Sequence, residues 1–393
     1  MAMWLTDLRI VLPDGVLERG AIRIDGEVIA AIREGEAPAG ARGALVDGRG
    51  LLAIPGMIDM HGDMLEIEAE PRPGAHFPLD LALHELDKRL AGNGITTAYA
   101  AVSFWETVRR ERARTTDRAV QLVETIHRLR PGLLVDHFIH ARYEVTTPSV
   151  APALADLLAG RRIHLLSLMD HTPGQGQYRD LEQYVAAISQ WRGVDPRALE
   201  AETRAKMAQG APGYWPAARA IVQQAAALGV PLASHDDDTA LKVELMAGFG
   251  VRLSEFPVTL EAARAARRHG MAVVMGAPNA MRGHSHTGNL SALEAVAAGA
   301  VDLLASDYAP AAMLQALFVI VERELLPLHA AVRLVAQHAA AALGLHDRGR
   351  LAPGLLADIA LVEPDVRPRV RGTLRRGLPI YWDGAMARRT TYR

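Results

Sequence analysis

The chain has 393 residues, half of them apolar and 22% charged, with 43 Lys and Arg against 45 Asp and Glu for a net charge of −2. That length suits two medium domains or one barrel with an appendage, and the charge balance excludes a disordered polyelectrolyte and a broad basic nucleic-acid surface while leaving room for a small basic pocket. With no cysteine, disulfides, thiolate zinc sites, iron–sulfur clusters and cysteine nucleophiles are excluded, and the 15 histidines become the main soft metal-ligand supply.

The N-terminal MAMWLTDLRIVLPDG lacks the basic stretch, apolar core and small-residue site of an export signal. No apolar run reaches the roughly 18 residues of a membrane span, so a cytoplasmic enzyme without membrane or nucleic-acid partners is expected. LTDLRIVL, GAIRIDG and EVIAAI read as short strands, with hairpin signals at Asp14-Gly15 and Asp25-Gly26. They are too few for an independent sandwich. ADIALVE, RVRGTLRRG and LPIYWDG, after Pro353-Gly354, offer the missing strands. Residues 1–53 and 346–393 are therefore expected to form one composite β-sandwich domain around an inserted unit, 54–345.

The insert alternates apolar runs with Ala- and Arg-rich helical stretches. The runs are IPGMIDMH, ITTAYAAVS, VDHFIHARYE, IHLLSLMDH, VPLASHD, VRLSEFP, MAVVMGAP and VDLLASDYAP. Eight strands, each followed by a helical stretch, predict an α/β fold, a (β/α)8 TIM-like barrel. The Gly-rich phosphate fingerprint that a doubly wound sheet wants after its first strand is absent. Polar residues cluster where the strands end: His61 and Asp63, Glu144, Asp170 and His171, His235 to Asp238, Asn279, and Asp307. In a barrel these positions share the rim that carries catalysis.

His61 and Asp63 lie two apart on a strand and point to one face with Asp59, so they can grip one divalent cation; a plain surface turn would read the same way. Glu144, in phase with His140 and Arg142, suits a bridge between two ions, or else an ion pair with Arg142. His171 and His235 are ligands or hydrogen-bonded core residues. Asp307, ending the eighth strand, suits a base that also touches a metal. Imidazoles with carboxylates favour zinc, manganese or iron-like ions over calcium or magnesium, and hydrolysis is the natural chemistry. The loop GAPNAMRGHSHTGN combines Arg282, His284 and His286 with glycines and hydroxyls, a mixture able to wrap phosphate oxygens, or else an exposed turn. Arg72 and Lys242 are further anion contacts or solvated charges. Asp236, Asp237 and Asp238 could simply cap the next helix. His127, His164, His269, His329, His338 and His346 read as structural or exposed.

PGMIDMHGD resembles the first-strand PG-x-x-D-x-H-x-H motif of the amidohydrolase superfamily, with Asp63 in place of the second His, and GRLAPGLLADIALV resembles its C-terminal signature. Within that superfamily, ITT, LLSLMDHTPGQGQY, ASHDDDT, SEFPVT, GAPNAMRGHSHTGN and ASDYAP resemble, in order, the motifs of the PhnM family. These are the alpha-D-ribose 1-methylphosphonate 5-triphosphate diphosphatases of the carbon–phosphorus lyase (phosphonate degradation) pathway. The resemblance runs from about Ile54 to Val362. It implies a metal-dependent diphosphatase with two divalent ions, zinc first and manganese second. Its implied ligands are His61, Asp63, Glu144, His171, His235 and Asp307, with Glu144 bridging and Asp307 as general base. Arg282 and His286 would join Asp307 as catalytic groups on a small phosphorylated sugar, and a homo-oligomer, a dimer, is expected. Two departures stand out: His61-Gly62-Asp63-Met64-Leu65-Glu66 replaces the family's H-T-D-N-L-E, and His284 replaces a common Gly. The rival readings are a diverged enzyme acting on another phosphate anhydride, an amidohydrolase cleaving a C–N bond in a cyclic amide or N-acyl substrate, and a catalytically silent barrel.

Overall fold

In the computed structural model, residues 2–36, 40–72, 74–106, 115–172, 176, 181–208, 215–285 and 288–392 are described. Alternation and hairpin turns at the N-terminus yield β1 (Ala2–Leu12), β2 (Gly15–Asp25), β3 (Val28–Glu34), β4 (Ala44–Asp47) and β5 (Leu52–Pro55). The C-terminus adds β14 (Ile359–Glu363), β15 (Arg369–Arg375), β16 (Leu378–Trp382) and β17 (Thr390–Tyr392). All nine join one sheet, ordered β16-β15-β14-β5-β1-β2-β3, with β4 beside β1 and β17 beside β4. β1 carries the fork. Its first half pairs with β4 and its second with β5, and between them the register shifts around Asp7, whose φ is 53°. That irregularity bends the strand and lets two branches enclose Leu5, Leu8, Ile22, Ile24, Leu361 and Leu374.

The other strands are β6 (Met57–Gly62), β7 (Ile95–Phe104), β8 (Asp136–Glu144), β9 (Leu165–Met169), β10 (Leu232–His235), β11 (Leu253–Glu255), β12 (Ala272–Gly276) and β13 (Leu303–Ala305). They pair in sequence order, all parallel, as a second sheet of eight with helices between them. The eight runs read from the sequence are these strands, and the barrel with a β-domain built from both termini is borne out. One run divides. IPGMIDMH splits at Gly56, so Ile54 and Pro55 pair in the composite sheet and the barrel strand starts at Met57. A Cβ at Gly56 would fall 2.4 Å from Thr96 Oγ1, which leaves only glycine room at the crossing. Among the described residues, no helix is long and apolar enough to cross a membrane.

The barrel closes between β13 and β6. Gly62 and Asp307 form a parallel bridge, with Asp307 N donating to His61 O and Asp63 N donating to Asp307 O, each at 2.9 Å. One turn of side chains deeper, the buried Asp59 carboxylate accepts from Ser306 N at 3.0 Å and from Ser306 Oγ. At the opposite end of the strands, buried Arg348 donates to Asp136 at 2.7 Å and to Thr97 at 2.9 Å, and Arg375 of β15 donates to the same Asp136 at 3.1 Å. These bonds dock the composite sheet under the barrel. Three helix N-termini are capped by threonine: Thr115, Thr239 and Thr259 accept from Arg118 N, Lys242 N and Ala262 N. The capping role weighed for Asp236–Asp238 thus falls to Thr239.

Deleting residues 2–50 removes β1 to β4 and strips β5 of a neighbour, so the truncated chain should be insoluble or lack a cooperative melt by circular dichroism. Asp59→Ala should cost about 2–3 kcal/mol in urea denaturation, because it leaves the Ser306 N–H and hydroxyl buried without their acceptor. Unchanged stability would show that the carboxylate does not hold the closure.

Candidate metal centre

Side chains of alternating strand residues converge inside the barrel mouth. His61 stands at the end of β6, His140 and Glu144 on β8, His235 and Glu255 at the last positions of β10 and β11, and His171 two residues past β9. Three strand ends are followed by a left-handed residue: Asp236 (φ 53°), Phe256 (φ 54°) and Asp307 (φ 56°). Each still donates its N–H to the neighbouring strand, to Glu255 O, Val274 O and His61 O at 2.8–2.9 Å. The turn costs about 1–2 kcal/mol per non-glycine residue and redirects each chain sharply at the rim.

Two sets of metal-ligating side chains result, each with its ligand atoms within 4.8 Å of one another: His61, His140 and Glu255, and His171, His235 and Asp236. In the first, His61 Nδ1 lies 3.3 Å from Glu255 Oε2 and His140 Nε2 lies 3.4 Å from Glu255 Oε1. In the second, His235 Nδ1 lies 3.1 Å from Asp236 Oδ2. Glu144 is engaged differently: its Oε2 lies 2.5 Å from His171 Nδ1 and its Oε1 accepts from Thr146 at 2.7 Å. Trp105 stacks on His171 with ring centroids 5.5 Å apart, fixing its plane.

Electrostatics favour cations here. Burial holds His61 well below the ordinary imidazole range and His140 at about 3, so both rings are neutral and offer lone pairs. Asp236 stays at about 2, because against the upward pull of burial the adjoining His235 and His171 favour its charged form. Burial, with the Asp63 charge beside it, pushes Asp307 up to about 7. Both ring nitrogens of buried His140, Nε2 of His235 and Oε1 of Glu255 have no hydrogen-bond partner. Buried polar atoms are nearly always satisfied, and neutral imidazoles beside carboxylates are the donor set that a zinc-like ion takes. The residues therefore fit divalent metal.

Above these sets opens a cavity of about 270 Å³ lined by Asp63, Arg142, His171, His235, Arg282 and Asp307, among others. Arg142 does not pair with Glu144; its Nη1 lies 3.7 Å from Asp63 Oδ2 and its Nε 3.2 Å from Met169 Sδ. Arg282 on the rim donates to the Tyr308 hydroxyl. Asn279 is structural, bonding Leu290 O and Ala292 N at 3.0 and 2.9 Å. Lys242 holds the strand end, donating to the carbonyls of His235 and Asp236 at 3.2 and 3.4 Å. His286, and residues 173–175 of the MDHTPGQ motif, lie outside the described residues. The Gly62 and Met64 departures are linked: a Cβ at 62 would sit 2.8 Å from Met64 Cε and 2.9 Å from Asp59 Oδ2. Met64 fills the space that a threonine at 62 would need.

Sequence reasoning placed the six expected ligands around this mouth but did not single out His140 and Glu255, or Asp236 as a ligand. The available signals were His140 standing four before Glu144 on one strand, hence on the same face, and a carboxylate closing the VRLSE run.

A barrel of this topology with imidazoles and carboxylates at its C-terminal mouth defines a metal-dependent hydrolase class. Residues 143–381 match the model of the amidohydrolase family, and the chain belongs to it. The chain is 33% identical over 363 residues to the alpha-D-ribose 1-methylphosphonate 5-triphosphate diphosphatase of Escherichia coli (strain K12), covering 91% of this chain and 94% of that relative. The PhnM resemblance read from the motifs is thereby borne out over 91% of the chain. Similar solved structures include a 5-methylcytosine deaminase from Klebsiella pneumoniae liganded with 5-fluorocytosine (TM-score 0.65, 14% identity, 97% of this chain and 98% of that one). Another is a prolidase complexed with N-methylphosphonate-L-proline (TM-score 0.62, 17% identity, 98% and 100%). At such identities the likeness speaks for the fold alone.

A raised Asp307 gives a pH signature in cation-stripped protein. Its protonated form favours the fold below about pH 4, and that contribution is lost as pH rises through about 7. Thermal melts should show the wild type losing stability relative to Asp307→Asn across this window. Parallel curves would mean that Asp307 titrates normally.

Proposed function

We propose that the chain hydrolyses alpha-D-ribose 1-methylphosphonate 5-triphosphate at its α-phosphorus, releasing pyrophosphate and the ribose 5-phosphate, in phosphonate degradation. The observation that carries this reading is the match to the diphosphatase of that name across nearly the full length of both chains. The cavity supports it, because Arg142 and Arg282 line the space above the carboxylates and imidazoles, a polarity suited to an anion approaching cations.

His61, Asp63, Glu144, His171, His235 and Asp307 are the proposed ligands of two divalent ions, zinc before manganese. When bound, such ions supply an activated water and stabilise charge on the attacked and leaving oxygens. Water oxygen bonds to the α-phosphorus, the bond from that phosphorus to the α–β bridging oxygen breaks, and the electron pair leaves with pyrophosphate. Asp307, at about 7, takes the proton. Arg282, oriented by the Tyr308 hydroxyl, binds the departing phosphates with charge-assisted bonds. His286, four residues further along the sequence, is assigned the same task. Arg142 faces the reacting centre from the cavity wall.

Asp307→Asn should retain substrate binding and lower kcat by about 10²- to 10⁴-fold. Arg282→Ala should raise KM for the triphosphate and slow turnover with metal content unchanged. Reaction in oxygen-18 water should place the label on the sugar monophosphate. Label in pyrophosphate or orthophosphate would place attack at another phosphorus and overturn the assignment.

A further inference from the structure

Two arginines are buried among the described residues, and they are provided for very differently. Arg348, at the lower end of the barrel, donates to Asp136 at 2.7 Å, to Thr97 at 2.9 Å and to Asp347 at 3.0 Å. Arg142, at the mouth, makes one hydrogen bond among the described residues, from Nε to Met169 Sδ at 3.2 Å, and a thioether is a weak acceptor. Its Nη1 stands 3.7 Å from Asp63 Oδ2, beyond hydrogen-bond range. Glu144, the carboxylate two residues on, accepts from Thr146 and is paired with His171 instead.

A buried guanidinium that no acceptor bonds closely is costly. The cost rises beside residues that fit divalent cations, because a further positive charge is repelled there unless an anion joins it. Arg142 lines the cavity together with Asp63, Asp307 and Arg282, so its unbonded Nη groups border the space that an anionic substrate would enter. We propose that Arg142 binds the attacked phosphoryl group, its guanidinium fork donating to two non-bridging oxygens on the α-phosphorus. The proposal rests on the diphosphatase reading and adds an order along the cavity: the α-phosphoryl group deep against Arg142, the departing phosphates outward toward Arg282.

Depth separates the two arginines. Arg142 stands on β8 two residues after His140 and two before Glu144, on the same inward face, and is buried. Arg282 ends the short helix Ala277–Arg282 after β12, is exposed, and is tied to the Tyr308 hydroxyl. A planar fork matches two oxygens of one phosphoryl group, which a single ammonium charge would not. Donors already in place meet the charge on those oxygens as the water oxygen bonds and the bridging oxygen leaves.

The test compares full-length wild type with Arg142→Met, which keeps the bulk and removes the fork, by steady-state kinetics, zinc content and calorimetric titration with inorganic phosphate. In the variant, kcat for alpha-D-ribose 1-methylphosphonate 5-triphosphate should fall about 10²- to 10³-fold. Phosphate affinity should fall about tenfold or more, with zinc content unchanged, and added guanidinium should restore part of the turnover of Arg142→Ala. Unchanged kcat and phosphate affinity would overturn the proposal and leave the diphosphatase reading standing. Zinc lost in step with activity would overturn it too, because Arg142 would then serve only to hold Asp63. A wild type that turns over no triphosphate would instead sink the reading itself. If Arg142→Met fails to fold, Arg142→Lys decides, since it keeps the charge without the fork. Its kcat should fall about tenfold or more, and full activity would overturn the proposal.

Discussion

The closure of the barrel between its first and last strands is the constraint from which the rest follows. β13 contributes only Leu303–Ala305, so the seam depends on the backbone bonds between His61, Asp63 and Asp307 and on the buried Asp59–Ser306 pair. The residues that shut the barrel are thus the residues that carry charge into it. Asp307 adopts a left-handed turn to make that seam, and its carboxyl is left beside Asp63 in partial burial, which raises it to about 7. A carboxyl in that range is suited to exchanging protons at neutral pH.

The two ends of the strands divide the work. At the lower end, Arg348 and Arg375 neutralise Asp136 with close bonds and tie the barrel to the sheet built from both termini. At the mouth, Glu255 faces His61 and His140 at 3.3 and 3.4 Å, both nitrogens of His140 lack a hydrogen-bond partner, and the same energetic logic that rewards pairing below favours a cation above. The composite sheet explains why the termini cannot be spared. β5 and β6 are separated by Gly56 alone, so disorder in β1 would pass directly into the strand that carries His61.

Much of this was legible in the sequence. Each of the eight apolar runs became a strand, because short β-branched or leucine-rich runs flanked by helical stretches have few other uses, and Asp-Gly steps placed the hairpins. His61, Asp63, His171, His235 and Asp307 could be placed at the mouth from the sequence because each follows an apolar run. His140 and Glu255 were harder. Barrel strands are buried on both faces, so their polar residues lose the alternation that separates inward from outward positions. Only three-dimensional register shows that β8 and β11 present these two residues to His61. The run Asp236–Asp238 misled in the opposite way, since Asp237 is consumed by Ser234 and Ser254 across β10 and β11 and Thr239 does the capping. Gly62 and Met64, read separately as departures, are one steric exchange.

Fold likeness to deaminases and prolidases shows that this barrel accommodates several chemistries, so the account stands or falls on the scissile bond. The most direct measurement is steady-state turnover of the zinc-reloaded protein on two panels: ribose and nucleoside triphosphates, and cyclic amides with N-acyl amino acids. The account predicts that kcat/KM is highest for alpha-D-ribose 1-methylphosphonate 5-triphosphate, with pyrophosphate as the product. Turnover of an amide, with release of ammonia or a carboxylate, and none of the triphosphates would contradict it.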